Sequence, residues 1–361
     1  MSLVSALLVS PVFASAQETQ PLRVTTRAAE ITIGGRAQTL FSTTNVDRFA
    51  PAEWELRRIR LEFGVRVNEA VGARIQPEFG SARVGLRDAY AYFGASPAFE
   101  IWAGQAFRPF SAIAQTSSTR ILPIERGVRI RGVTGALDHH NLLSTLGYAD
   151  RDVGIQVRGR PRGAPLGITY AAGVFNGPLQ GQTSGEVTYQ LAARATANPR
   201  SDLRLGAGWS RRDFGLVTGA DAGEIDLRGG SAYQVDVEYG SYAPGFHLVA
   251  EAATGVLNPF ANREAGQTTR FRSAQLWTAY RTRPLGTRLT HIEPVFRVSY
   301  GDPDAGRIEP VVATAGGLLL TPGFNLYFGP LNRVMINYDL WSPNSDVPDR
   351  HSLKAMFQVA F

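Results

Sequence analysis

The chain has 361 residues, with 37 Lys+Arg against 31 Asp+Glu, a formal charge of +6 and no cysteine. That composition excludes a disulfide framework, a thiolate metal site and a thiol nucleophile, and Gly at 38 with Pro at 21 falls short of a disordered chain. No apolar run reaches the roughly 18 residues of a membrane helix, which excludes a helical bundle but not a membrane barrel, whose alternating strands average to a soluble-looking composition.

Residues Met1 to Phe13 are mainly apolar, and Ala14-Ser15-Ala16 then fits the small-x-small cleavage rule before polar Gln17-Glu18. The pattern predicts a secretory signal peptide over 1–16 and a mature domain over 17–361. No Lys or Arg precedes Arg23, so the usual positive start of such a peptide is missing. Export of a chain without Cys fits a bacterial envelope protein.

Period-2 alternation dominates the mature chain. Ile59, Leu61, Phe63, Val65 and Val67 alternate with Arg58, Arg60, Glu62, Gly64 and Arg66, and Leu353, Ala355, Phe357, Val359 and Phe361 alternate with Lys354, Met356 and Gln358. Sixteen strands are predicted, near 31–41, 56–67, 70–79, 83–94, 99–107, 153–160, 166–175 and 186–196 in the first half. The second half holds 201–211, 231–240, 245–255, 269–280, 289–300, 316–328, 333–341 and 352–361. Weak alternation over 128–149 would add a pair and give eighteen. Around Asp88 the phase slips, because Val84/Leu86 and Ala89/Ala91/Phe93 do not share a face, and a bulge is expected there.

Alternation alone also suits a soluble β-sandwich. Strand length, strand number and the export signal favour a transmembrane antiparallel barrel instead. Short turns such as Asn68-Glu69 and Ser96-Pro97 alternate with longer connections at 42–55, 108–152, 212–230, 256–268 and 342–351, as barrel strands require. Trp102, Trp209, Tyr239, Trp277, Tyr280, Tyr300, Tyr327 and Trp341 lie near strand ends and read as interfacial girdles.

Several short motifs then occur in a telling order. They are Ile33-Gly34-Gly35-Arg36, Arg57-Arg58-x-Arg60-Leu61-Glu62-Phe63, Leu86-Arg87-Asp88-Ala89-Tyr90 and Ala103-Gly104-Gln105-x-Phe107-Arg108-Pro109-Phe110-Ser111. Ile124-Glu125-Arg126, Ala172-Gly173-Val174-Phe175-Asn176-Gly177 and Gly323-Phe324-Asn325-Leu326-Tyr327 come after them. Over most of the mature chain the series resembles the phosphate-selective porins O and P of Gram-negative outer membranes. The resemblance implies a sixteen-stranded barrel, a homotrimer, and a third external loop folded into the pore.

If the apolar side of each strand meets lipid, Arg58, Arg60, Arg66, Arg74 and Lys354 face the lumen, since Arg at the lipid midplane costs about 2–4 kcal/mol. The connection from 108 adds Arg108, Arg120, Arg126, Arg129 and Arg131, partly offset by Glu125 and Asp138. Guanidinium forks crowded into a narrow passage concentrate anions and suit carboxylate or phosphate. The expected function is passive diffusion of small hydrophilic solutes with a preference for anions, namely chloride, phosphate and organic acids. Glu62, Glu78, Asp236, Glu238, Glu251 and Glu293 also point inward, so a general pore without selectivity is the alternative reading. Phosphate-selective relatives carry a lysine cluster at the constriction, whereas Lys354 is alone in this chain.

A barrel enzyme is a further alternative, needing His near Ser or an acid. His139, His140, His247, His291 and His351 lie in no nucleophile or H-E-x-x-H motif. No cofactor, metal or nucleic-acid partner is indicated, and outer-membrane lipid is the expected surrounding.

Overall fold

The computed structural model describes residues 22–26, 28–46, 51–80, 84–177, 189–213, 216–219, 222–226, 230–257, 269–303 and 316–361. The segment read as a signal peptide lies outside them. The first strands are β1 (Leu22–Thr25), β2 (Glu30–Thr43), β3 (Ala52–Arg66), β4 (Val71–Glu78), β5 (Gly85–Ser96) and β6 (Phe99–Phe107). After α1 (Ala112–Gln115) and α2 (His139–Thr145) come β7 (Arg151–Gly159), β8 (Thr169–Phe175), β9 (Tyr189–Arg200) and β10 (Leu203–Asp213). A hairpin of β11 (Leu216–Gly219) and β12 (Ala222–Asp226) precedes β13 (Gly230–Tyr239), β14 (Gly245–Leu257) and β15 (Thr269–Arg281). The last strands are β16 (His291–Asp302), β17 (Gly317–Tyr327), β18 (Arg333–Pro343) and β19 (Arg350–Ala360).

Among the described residues, sixteen of these strands pair antiparallel with their neighbours, and β19 pairs with β2 to close the ring. A closed ring leaves no exposed edge, the condition for a sheet to cross a bilayer. The short strand β1 adds to β2 at residues 30–33, just beyond the stretch that pairs with β19.

Burial is inverted relative to a soluble sheet. In β19, Ser352, Lys354 and Gln358 are buried, while Leu353, Phe357 and Val359 are exposed. In β16, Glu293, Arg297 and Ser299 are buried and Phe296 is exposed. A polar inside under an apolar outside is the membrane-barrel distribution and rules out the sandwich.

The sixteen predicted strands match the sixteen of the ring, and the eighteen-strand count is corrected. Residues 128–149 form no strand pair: Asp138 caps α2 by accepting the Asn141 N–H, and the only pairing there is an isolated bridge from Leu137 to Gly316. The girdle reading is corrected in part. Tyr239 and Tyr280 face outward, but Trp277, Tyr327 and Trp341 are buried on the polar parity of their strands, and Trp102 shares the inward parity of Glu100. Position along a strand does not fix which face a side chain takes; parity does.

Those inward aromatics meet the 108–150 segment. Ile113, Ile121 and Leu122 pack with Trp277, Val128 and Ile130 with Trp341, and Ile124 with Met335 and Met356. Each such buried side chain contributes about 1.5–3 kcal/mol. The segment has little regular structure, so its backbone polar groups need other partners. Inner-face side chains supply them: Arg333 donates to the carbonyls of Thr119 and Ile121 at 3.1 and 2.8 Å, Asn325 to Leu122 at 3.1 Å, and Gln275 to Arg126 at 2.9 Å. In the other direction, the N–H groups of Ile113 and Ile124 donate to Glu251 and Asn337 at 2.9 and 2.7 Å.

Candidate functional site

Two register slips gather arginines on one wall. Between β2 and β3, Gln38 pairs with Arg58 and Thr39 with Leu56, which leaves Arg57 as the extra residue. Before the slip Glu53 and Glu55 share the parity of Arg57; after it Arg58, Arg60 and Glu62 share the opposite one. A bulge of this kind lets two consecutive side chains point to the same face. Between β4 and β5 the register jumps from Ile75–Ala89 to Pro77–Leu86, so Arg87 and Asp88 face Gln76 together. This is the bulge expected at Asp88.

The wall arginines open onto a central cavity of about 280 Å³. Arg57, Arg58, Arg60, Arg87 and Arg151 line it from the strands, and Arg126 and Arg129 from the 108–150 segment. The carboxylates lining it are Glu125 and Asp150. Around the rim, further acids hold the forks in place. Arg58 donates to Glu125 at 2.6 Å and to Gln38 at 2.9 Å, and Arg57 also pairs with Glu125. Arg60 and Arg87 each donate to Glu78 at 2.8 Å, Arg151 to Asp88 at 2.6 Å, and Arg129 to Glu55 at 2.7 Å.

Arg126 differs from the others. Its guanidinium donates to the Ile113 carbonyl at 3.0 Å and to the Thr116 carbonyl, neutral acceptors supplied by its own segment. Burial, then the neighbouring charges of Arg58, Arg60 and Arg151, push its pKa well below the ordinary arginine range. Its cation is held at a cost that an arriving anion would relieve. Glu125 shows the reverse balance: burial raises its pKa, but Arg57 and Arg58 outweigh burial and hold it well below the carboxylate range.

A second cavity of about 710 Å³ lies toward the short-turn end, lined by Arg36, Arg66, Arg74 and Arg120 among others. The structure thus brings Arg58, Arg60, Arg126 and Arg129 to the central cavity, and Arg66, Arg74 and Arg120 to the second. Arg66 is exposed beside Glu30, and Arg74 donates to Glu62 at 2.9 Å. Arg108 and Arg131 line neither cavity. Arg108 is buried against Asp152 and Gln190 at 3.1 and 3.0 Å, and Arg131 reaches Glu53 at 3.4 Å.

Other arginines of these cavities escaped the sequence reading. Arg57 and Arg87 owe their inward position to bulges, although the slip at Asp88 was legible. Arg36 has the same parity as Gln38 and could have been found by alternation. Arg23 comes from the added strand β1, which no alternation announced. Arg151 opens β7 on the outward parity, and its fork swings over the Phe107 ring, 3.7 Å from the centroid.

On the other walls most inward cations are ion-paired, while Arg333 is held by the neutral acceptors of Thr119, Ile121 and Tyr327. Arg297 donates to Asp339 at 2.8 Å and to the Glu125 carbonyl at 2.7 Å, and Lys354 completes the group on Asp339. Arg281 pairs with Glu293 at 2.9 Å, and Arg194 with Asp236 at 2.7 Å. His139 lies 2.9 Å from Ser273 through Nδ1 and 3.1 Å from Glu251 through Nε2. That chain has the composition of a hydrolytic triad, yet His139 is wholly buried and Glu251 also accepts the Ile113 N–H.

A closed sixteen-stranded ring with an apolar exterior and a polar, arginine-lined interior defines an outer-membrane β-barrel channel for small solutes. A family model of the phosphate-selective porins O and P matches residues 31–217, just over half of the chain, and the protein belongs to that family. It resides in the bacterial outer membrane. No curated protein sequence matches the chain. Among solved structures, an anion-selective porin from Comamonas acidovorans is similar at 11% identity and a TM-score of 0.63, over 92% of this chain and all of that one. OmpF of Salmonella typhi, in complex with daunomycin, is similar at 12% identity and 0.60, over 94% of this chain and all of that one. The trimer form of OmpT of Vibrio cholerae matches at 13% and 0.58, over 92% of this chain and all of that one. At these identities the likeness is one of fold.

Proposed function

We propose that the channel prefers anions, and that the 108–150 segment forms its constriction against the arginine-bearing wall of β3, β5 and β7. The observation that carries this is Arg126, a cation repelled by its arginine neighbours and bonded to backbone carbonyls, beside a cavity lined by seven arginines and two carboxylates. Anions entering such a site gain Coulomb energy, while cations meet an unbalanced positive field. The anion-selective porin from Comamonas acidovorans supports the reading by analogy of fold.

Selectivity among anions is weak in this reading. A lysine cluster does not form, since Lys354 is buried and engaged by Asp339. Chloride, phosphate and small organic acids are the expected solutes, with low affinity because conduction requires sites that solutes leave. A homotrimer is the proposed assembly, on the resemblance to the family and to the trimeric OmpT form.

The proposed role is transport and not catalysis. The Ser273–His139–Glu251 chain is read as a fastener for the constriction segment, because a hydrolytic triad needs an accessible nucleophile. Single-channel conductance in KCl, LiCl and potassium acetate tests the main claim. An anion-preferring pore changes conductance when chloride is replaced by acetate and little when potassium is replaced by lithium; the opposite ranking would overturn it.

A further inference from the structure

On the inner face between β5 and β7, Tyr90, Trp102 and Arg158 form a three-membered stack. The Tyr90 and Trp102 rings are 4.2 Å apart and 12° from parallel, and the Arg158 guanidinium lies 4.2 Å from the Trp102 ring centroid. Tyr90 comes from β5 and Arg158 from β7, so they flank the β6 indole from its two neighbouring strands. Register explains how Tyr90 reaches it. Tyr90 pairs with Gly104, whose φ is +129°, and a Cβ there would come within 2.8 Å of the Tyr90 Cα. The indole is fixed by its Nε1–H, which donates to Glu100 at 3.0 Å.

The two ends of this stack open into different spaces. Tyr90 lines the 710 Å³ cavity, and Arg158 lines a separate cavity of about 620 Å³ that also holds Tyr170 and Arg160. All three stacked residues are half-buried, so the stack is not sealed into the wall. Directly across the strand pair from Tyr90 stands Arg74, whose side chain is 39% exposed. Its Nη2 donates to Glu62 at 2.9 Å and its Nε lies 3.4 Å from Asp88, so an aromatic face and a partly engaged guanidinium lie side by side on the inner surface.

We propose that this stack is a binding station for planar aromatic carboxylates in transit, with the ring on Tyr90 and the carboxylate on Arg74. Stacking on a flat face and charge-assisted pairing with the part of the guanidinium that Glu62 and Asp88 leave free are complementary demands, and one planar acid meets both. A saturated ring of the same charge keeps the ion pair and loses the stack. The proposal rests on the anion-channel reading and names a substrate class for it.

The test is the bi-ionic reversal potential of the full-length protein in planar bilayers, with chloride on one side and benzoate or cyclohexanecarboxylate on the other at pH 7.5. Benzoate should be about 3-fold more permeant than cyclohexanecarboxylate, the scale of one stacking contact. Tyr90→Leu should bring that ratio to about one. Equal permeability of the two acids in the wild-type protein, with a chloride-selective current, would overturn the station and leave the channel reading intact. Absence of any current would overturn both.

Discussion

Arg58 on β3 and Glu125 on the 108–150 segment are joined at 2.6 Å, and the bulge before Arg58 brings Arg57 to the same carboxylate. One acid therefore ties two wall arginines to the segment proposed to narrow the passage, and neutralises part of their charge. In the proposed constriction, both the shape of the passage and its field depend on this joint.

Glu125→Gln should strengthen anion preference while loosening the segment. A unit charge acting across about 8 Å of water changes the potential by about 0.5 kcal/mol, or about twofold in the chloride-to-potassium permeability ratio, and its removal should have an effect of that order. Single-channel recordings should also show more frequent closures, because Gln cannot hold two forks. A lower chloride preference in the variant would count against the proposed path.

Arg126→Gln should lower the chloride-to-potassium ratio, again by about twofold, and Arg126→Glu by more. The carbonyls of Ile113 and Thr116 lose their guanidinium donor in both variants. Heat-modified gel mobility separates misfolding from loss of selectivity: a folded variant with an unchanged ratio would remove Arg126 from the permeation site.

Lys354→Met should destabilise the barrel without altering selectivity. Asp339 would keep Arg297 and lose the lysine, at a cost of about 2–3 kcal/mol, somewhat below that of leaving a buried charge wholly unpaired. Thermal unfolding measures the first effect. A shifted reversal potential would show that the lysine acts on ions in transit.

Acid should loosen the segment in two separate windows. Burial, then Arg126 and His139, hold the pKa of His140 well below its ordinary value of about 6.5. The unfolded chain therefore takes up the proton first, so this residue's contribution is full above pH about 6.5 and falls as the pH drops below it. Glu125 is a depressed acid, so its contribution is full above about 4.3 and is lost only as the pH falls toward its lower folded value. Between pH 7.5 and 5.5 the unfolding temperature should fall for the wild type and fall less for His140→Gln, a difference of up to about 1 kcal/mol. Identical pH dependence would refute the assignment.

The barrel was legible because a membrane-spanning sheet writes its two faces into every strand. Alternation from Arg58 to Arg66 and from Leu353 to Phe361 survives in the structure as inward and outward rows. What alternation cannot convey is where it breaks. Arg57 reads as an outward residue until the slip between Thr39 and Leu56 is known. Trp277 and Trp341 looked like girdle residues because no pattern in their own strands announces the apolar underside of a segment far away in sequence. The charge balance was equally hidden, since Glu78 and Asp88 meet particular arginines only through cross-strand register.

The proposed anion preference requires a net positive field in the passage, and the zero-current potential of the reconstituted protein across a KCl gradient measures it most directly. The predicted result is a potential of the sign set by chloride, which weakens at high salt as the arginines are screened. A potential of the sign set by potassium, or none at all, would mean that Glu125, Asp150, Glu78 and Asp88 cancel the arginines, and would contradict it.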